Sequence, residues 1–432
     1  MACILSGAEV YLNGSFKRID VSVEGGIIGD ISPAISPTCG DVVFDLKNFV
    51  ILPGLADVHV HLREPGFFYK ESVRTGTLAA ARGGFSSICS MPNTDPVPDC
   101  TDNLKKQSEL TDNDAAVHVY PYGAVTKGER GECLSEMAEL APFVVAFSDD
   151  GRGVQNDGVM EAAMVRAKSL GKIIAAHCED EALSNGGCVH DGRYGRSRGL
   201  KGIPSESEWR HISRDLKLAE KTGCAYHVCH VSAKESVDLI RAAKKKGIDV
   251  SCEVTPHHLI FCEDDLKDDG RYKMNPPLRG AVDREALIEG LSDGTIDMIA
   301  TDHAPHSAEE KSKGLENSAF GVVGLETAFP VLYTKLVMTG IIGLERLVLL
   351  MSVRPSERFG VAGPIEKGMR ADLAAFDLKE KYRVDPADFL SKGRSTPFED
   401  MCVYGDCVLT MVSGKTAWAS GRLDACRTGG RI

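Results

Sequence analysis

Two histidines, His59 and His61, close a short apolar run in Asp57-Val58-His59-Val60-His61-Leu62-Arg63-Glu64-Pro65-Gly66. In a strand, residues i and i+2 project from one face. The two imidazoles therefore aim at one point, and Val58 and Val60 aim at the opposite side. Imidazoles that converge in this way are metal ligands by type and geometry. An isolated pair is more readily explained by packing or capping. Here matching ligands recur further along the chain. Ser148-Asp149-Asp150-Gly151, His177-Cys178-Glu179, His230 and Ala300-Thr301-Asp302-His303-Ala304-Pro305-His306 each end an apolar run. One aspartate from each acidic end gives four histidines and two aspartates at one place. A single zinc takes three or four ligands, so this set implies two metals about 3.5–4 Å apart, sharing a carboxylate and a water or hydroxide. Such a pair acidifies water and polarises carbonyl groups, which is hydrolytic chemistry.

Those residues must be brought together by the elements that carry them. Eight apolar, β-branched runs appear at residues 55–60, 85–90, 116–123, 143–148, 173–177, 225–230, 248–254 and 296–301. Between them lie amphipathic stretches, among them residues 69–83, 156–170, 206–222 and 234–246. Strands alternating with helices imply parallel strands joined by crossovers. Eight units predict a (β/α)₈ TIM barrel over residues 54–362, whose active site lies at the C-terminal ends of the strands. The flanks, residues 1–53 and 363–432, are short strand-like pieces with Gly-rich turns. Neither flank alone has enough strands for a stable sheet. They are expected to assemble one small β-sandwich from both ends of the chain.

Composition narrows the class. The 432 residues suit one large α/β domain with a lesser one. Hydrophobic residues make up 43% and charged residues 26%, and no apolar run approaches the roughly 18 residues of a membrane span. Residues 1–7 lack a basic region followed by an apolar core, so no secretory signal is expected. The net charge of −12 argues against a nucleic-acid or anionic-membrane partner. The 14 cysteines form no Cys-x-x-Cys pair, and several sit inside apolar runs, as suits a reducing cytoplasm. Cys178 and Cys229 adjoin the ligand candidates His177 and His230. By strand alternation they face the core.

The constellation resembles the cyclic amidohydrolase superfamily, and local motifs narrow it to the bacterial type I dihydroorotase class. The motifs are His59-Val60-His61-Leu62-Arg63-Glu64-Pro65-Gly66 with Tyr69-Lys70-Glu71, then Met91-Pro92-Asn93-Thr94 and Phe147-Ser148-Asp149-Asp150-Gly151. Asn275-Pro276-Pro277-Leu278-Arg279 and Thr301-Asp302-His303-Ala304-Pro305-His306 complete them. Hydantoinases, allantoinases and many relatives bridge their metals with a carboxylated lysine. No lysine stands at the fourth strand end here. The resemblance implies that Asp150 is the bridge, with Asp149 in a supporting or backbone-capping place.

The resemblance further implies reversible cyclisation of N-carbamoyl-L-aspartate to (S)-dihydroorotate, the third step of pyrimidine biosynthesis. Two Zn²⁺ ions per chain would be bridged by Asp150 and a hydroxide or water. His59, His61 and Asp302 would hold one ion, and His177 and His230 the other. Asp302 is the expected catalytic proton carrier, a base in one direction and an acid in the other. With Asp150 and Asp302 ionised and a hydroxide present, about one positive charge remains at the mouth. Arg63 adds another, and its fork can hold a carboxylate with two parallel hydrogen bonds. By the family pattern His61, Asn93, Asn275, His306 and backbone groups near Phe320 and Gly321 complete the substrate clamp. His257 and His258 follow the seventh strand but belong to no ligand set of the family. Residues 307–316 are polar without a sustained apolar period and read as a loop over the mouth. A cytoplasmic homodimer is expected, with association to an aspartate transcarbamoylase a further implication. The competing readings are a hydantoinase- or allantoinase-type enzyme and a non-catalytic dihydroorotase-like partner of the transcarbamoylase. The first is disfavoured by Arg63 and Tyr69-Lys70, the second by the retention of all six ligands.

Overall fold

The computed structural model describes residues 2–428. The chain opens with β1 (Cys3–Leu12), β2 (Ser15–Glu24), β3 (Ile27–Ser32), β4 (Val42–Asp45) and β5 (Val50–Pro53). Alternation drives them: Ile19, Val21 and Val23 of β2 are buried on one face. The chain closes with β17 (Leu373–Arg383), β18 (Cys402–Val412), β19 (Lys415–Ala419) and β20 (Arg427–Thr428). Both ends enter one sheet in the order β19-β18-β17-β5-β1-β2-β3, with β4 between β1 and β20. A shared apolar cluster joins them, with Leu5, Val21 and Ile51 from the first flank and Leu373, Val408 and Met411 from the second. Met1 and residues 429–432, assigned to the flanks from sequence, lie outside the described residues.

Between the flanks run β6 (Leu55–Val60), β7 (Phe85–Ser90), β8 (His118–Pro121), β9 (Gly123–Ala124), β10 (Phe147–Ser148) and β11 (Ile174–Ala176). A short two-stranded pair follows, β12 (Val189–His190) with β13 (Gly202–Ile203). Then come β14 (Tyr226–Val228), β15 (Val250–Val254) and β16 (Met298–Ile299). The runs β6-β7-β8 and β9-β10-β11-β14-β15-β16 are parallel throughout. The fold is thus mixed α/β with parallel sheets. Tyr122 N donates to Ser90 O at 3.0 Å, next to the step from β8 to β9. At the other edge His303 pairs with Val60 in a parallel bridge, and His61 N donates to His303 O at 2.9 Å. Most of these strands are shorter than the apolar runs that mark them. The chain leaves strand geometry where the polar residues begin: φ is +62° at Arg63, +33° at His230 and +48° at Asp302. Left-handed backbone at non-glycine residues costs of order 1–3 kcal/mol and clusters at functional sites.

The crossover helices fall close to their sequence signatures. Val73–Arg82 starts four residues later than its apolar pattern, because Ser72 caps it by accepting from Thr75 N. Asp157–Ser169 is capped by Asn156, and Glu206–Thr222 ends at Gly223 with φ +66°. Residues 307–316 depart from the expected loop. They contain the single turn Ala308–Lys311 and most of a second, Gly314–Asn317. The reason for the first is local: Ser307 accepts from Glu310 N while the Glu310 carboxylate accepts from Ser307 N, a capping box that does not depend on apolar period.

Phe376 of β17 ties the composite sheet to the core of the parallel unit. Its ring lies 4.0 Å from that of Phe329, and it fills the space where any side chain on Gly84 would stand. Phe376→Ala is expected to cost about 3–5 kcal/mol. Urea unfolding should retain a single transition at lower midpoint. Two separated transitions would show that the sheets do not share one core.

Candidate active site

The site grows from β6. His59 and His61 flank Val60, whose side chain turns into the core, so the two imidazoles share one face. His59 offers its ring asymmetrically. Nδ1 lies 2.7 Å from Glu253 Oε1 and Nε2 points to the centre. Glu253 is fully buried in β15 and also holds His227 Nε2, at 3.0 Å. Burial alone would raise its carboxyl, but the His59 charge and the hydrogen bonds with His227 and His59 hold it at about 2. Glu253 therefore fixes which nitrogen of His59 is free.

At the centre stands Asp150. Its Oδ1 lies 3.4 Å from His59 Nε2, 3.5 Å from His230 Nε2 and 3.8 Å from His177 Nδ1. Its Oδ2 lies 3.4 Å from His61 Nε2. Asp302 Oδ1 reaches His61 Nε2 at 3.1 Å and His59 Nε2 at 3.6 Å. All six candidate ligands are buried. Burial opposes ionisation of Asp150, yet the charge of His59 and the close approach of the His230 and His59 rings hold it well below the usual carboxylate range. Asp302 is lowered for the same reason, chiefly by its hydrogen bond with His61 and the charge of His59. His59 Nε2 and Asp150 Oδ1 are buried without a hydrogen-bond partner. Such atoms are costly unless a further group completes them. Among the described residues, three donor sets lie close enough to hold an ion: His59, His61 and Asp302; His59, Asp150 and His230; and His59, Cys229 and Glu253. The last uses the side of His59 that Glu253 already occupies. Cys229 belongs to a buried apolar cluster, as does Cys178.

His177 turns Nε2 to Glu179 at 3.1 Å, and Glu179 accepts from Asn275 Nδ2 at 2.8 Å. Asp149 points away from Asp150 and accepts from Val125 N and Thr126 N at 2.7 and 3.0 Å. His258 is bound to Thr255 Oγ1 and the Pro276 carbonyl oxygen. His257 Nε2 is buried without a partner.

Above the six residues opens a cavity of about 210 Å³. Its walls include Arg63, Asn93, Asn275, His306, Phe320 and Gly321, besides Asp150, Asp302 and three of the histidines. Asn93 Oδ1 lies 2.8 Å from His61 Nδ1, which leaves its amide nitrogen free of that bond. Arg63 donates Nε to the Pro305 carbonyl at 3.2 Å. His306 Nε2 lies 2.7 Å from the Phe320 carbonyl, and its Nδ1 lies 3.3 Å from Lys70 Nζ. Burial, with the charges of Arg63 and Lys70, pushes His306 down to about 3, so the ring is neutral. A neutral ring that accepts from Lys70 carries its proton on Nε2 and gives it to Phe320. Arg63 Nη2, 3.3 Å from that nitrogen, then finds no acceptor there and remains available to a ligand. The wall of the cavity is thus cationic, and its floor can hold metal.

The sequence of a family described as dihydro-orotase-like matches residues 48–236. A dihydroorotase of Bacillus cereus (strain AH820) is 51% identical over 415 residues, which cover 94% of this chain and 96% of that protein. A dihydroorotase of Bacillus thuringiensis (strain Al Hakam) matches at the same identity and coverage. The chain belongs to the dihydroorotase family. Its fold is also that of an L-hydantoinase (dihydropyrimidinase) from Arthrobacter aurescens, with TM-score 0.87, 28% identity and 97% and 96% of the two chains covered. A dihydropyrimidinase from Brevibacillus agri matches in fold at TM-score 0.84 and 22% identity, over 96% and 95% of the two chains. Membership makes this chain a cyclic amide hydrolase, and the family implies a metal cofactor. No helix among the described residues is long and apolar enough to cross a membrane.

Sequence reading passed over Glu253 and the orienting place of Glu179. A carboxylate inside the apolar run Val250-Ser251-Cys252-Glu253-Val254 was the available signal. A lone acid in a buried strand needs a partner, and an imidazole at a strand end supplies one. Glu253→Gln removes the charge that orients His59 and is expected to weaken metal binding about 10–100-fold. Competition with a chelator of known affinity measures this. Unchanged affinity would reduce Glu253 to a packing residue.

Proposed function

We propose that this chain catalyses the reversible, zinc-dependent cyclisation of N-carbamoyl-L-aspartate to (S)-dihydroorotate with loss of water, a step of pyrimidine biosynthesis in the cytoplasm. One observation carries the reading. A cavity with a cationic rim stands directly over six converging candidate ligands, in a chain 51% identical to proteins named dihydroorotase. In the same reading, residues 54–362 form a (β/α)₈ barrel, and residues 1–53 with 363–432 form a small β-sandwich. The bridge between Val60 and His303 supports closure of the strands into a ring.

His59, His61 and Asp302 would hold one zinc and His177 and His230 the second, with Asp150 between them. The buried, unpartnered His59 Nε2 and Asp150 Oδ1 fit that assignment. When bound, the metals supply Lewis acidity to an amide carbonyl and acidify water. The remaining work falls to the protein's own groups. In hydrolysis, a water oxygen bonds to the amide carbon, the ring C–N bond breaks, and the ring nitrogen gains a proton. Asp302 takes that proton from the water and delivers it to the nitrogen. Ring closure runs the same transfer backwards. Arg63 orients the substrate carboxylate through its free guanidinium nitrogens, with Asn93, Asn275, His306 and the Phe320–Gly321 backbone around it.

The direct test is turnover of dihydroorotate beside hydantoin, with metal analysis. Two zinc ions per chain and a preference for dihydroorotate are expected. Preference for hydantoin would return the protein to the hydantoinase reading. Asp302→Asn, with metal retained, should lower kcat at least about a hundredfold. For the wild type, hydrolysis should fail as pH drops, because Asp302 or the attacking hydroxide is protonated. Ring closure should fail as pH rises, because that proton is absent. The same trend in both directions would assign the transfer elsewhere. Arg63→Lys keeps the charge but loses the fork, and turnover efficiency should fall roughly tenfold or more with metal content unchanged.

A further inference from the structure

Lys311 ends the helical turn Ala308–Lys311, and its side chain is buried. A buried ammonium is costly unless it is fully bonded. Among the described residues no carboxylate forms an ion pair with it. Instead it donates to three carbonyl oxygens: Lys273 at 3.0 Å, Ala319 at 2.8 Å and Gly321 at 2.7 Å. Two of these carbonyls bracket Phe320, in the segment that brings Phe320 and Gly321 to the cavity wall. The third, Lys273 O, also accepts from Gly321 N at 3.0 Å. The Lys273 ammonium in turn lies 4.5 Å over the Phe320 ring.

An apolar side chain could fill the volume that Lys311 occupies. It could not gather three carbonyl oxygens. Without the ammonium the Ala319 and Gly321 oxygens would lose this partner beside a cavity built for an anion, and Lys273 O would keep only the Gly321 N–H. The Ala319 carbonyl belongs to the peptide whose N–H is that of Phe320, and a cation on the oxygen strengthens that N–H as a donor. We infer that Lys311 is a positioning residue for the substrate carboxylate, holding the Ala319–Gly321 backbone at the rim and neutralising its carbonyl oxygens without touching the substrate. This rests on the reading that the cavity binds dihydroorotate.

The test begins with the zinc-loaded wild type and uses Lys311→Met, which keeps length and volume but removes charge and donors. The expected result is a rise in KM for dihydroorotate of roughly tenfold or more, with kcat within about threefold and metal content unchanged. Lys311→Arg, which keeps a cation, should hold KM within about threefold of the wild type. A rise as large as that in the methionine variant would overturn the role of the charge. If Lys311→Met fails to fold, Lys311→Gln carries the same test, because it retains two N–H donors for the carbonyls without charge. A purely structural role predicts a lower melting temperature and lower kcat with KM unchanged, and that pattern would overturn the inference. Failure of the wild type to turn over dihydroorotate would instead defeat the functional reading beneath it. The two failures are therefore distinct.

Discussion

A single buried carboxylate, Asp150, with four imidazoles around it, is the constraint on which the rest of the structure depends. Its nearest ring nitrogens lie 3.4–3.8 Å away, on residues from three separate strand ends. A carboxylate out of water is unstable unless charge or hydrogen bonds compensate it. Here the compensation comes from His59 first, then His230. Each partner must itself be held in register, and that is the work of the outer groups. Glu253 fixes His59, Asn93 braces His61, and Glu179 meets His177. Asp57 completes the frame, accepting from His59 N and Thr301 N and so joining the start of the site to its end. Burial raises its carboxyl to about 7.

Parallel strands are the architecture that delivers such a set. Each strand releases one or two side chains at its C-terminal end, and successive crossovers bring these ends side by side. The backbone then turns sharply, through left-handed residues at Arg63, His230 and Asp302. Lys70 and Glu71 show how the next layer is built. Lys70 reaches His306 and Glu310, while Glu71 lies 3.5 Å from His303 and also bonds to Ser391. Residue 391 comes from the C-terminal flank, so that segment braces the candidate site as well as closing its own sheet. The hydantoinase fold likeness is compatible with this frame. Two local features stand out against that likeness: Asp150 at the centre of the histidines and the guanidinium of Arg63 on the cavity wall.

Much of this was legible in the sequence because it obeys short periods. Alternation placed His59 and His61 on one face, and the helices from Glu206 and Lys234 begin where their apolar stripes begin. The strand runs were overlong because apolar character extends beyond the residues that pair in the sheet, as at Phe143-Val144-Val145-Ala146 before β10. Three things were hidden. Glu253 pairs with His59 across 194 positions, and no local pattern reports that distance. The left-handed residues carry ordinary side chains. The turn at Ala308–Lys311 is set by its capping box, and the turn at Gly314–Asn317 by distant partners, with Leu315 N donating to Asp268 and buried Lys273 to the Glu316 carbonyl, rather than by an apolar stripe.

The central proposal is that an aspartate, and not a carboxylated lysine, would join two metals in this site. The most direct measurement is reconstitution of metal-free protein with zinc in buffer stripped of CO₂. A lysine carbamate forms only when CO₂ is supplied, whereas the Asp150 carboxylate is already present. The account predicts full recovery of dihydroorotate turnover without CO₂ and no gain on adding bicarbonate. Failure to recover until bicarbonate is added would contradict it.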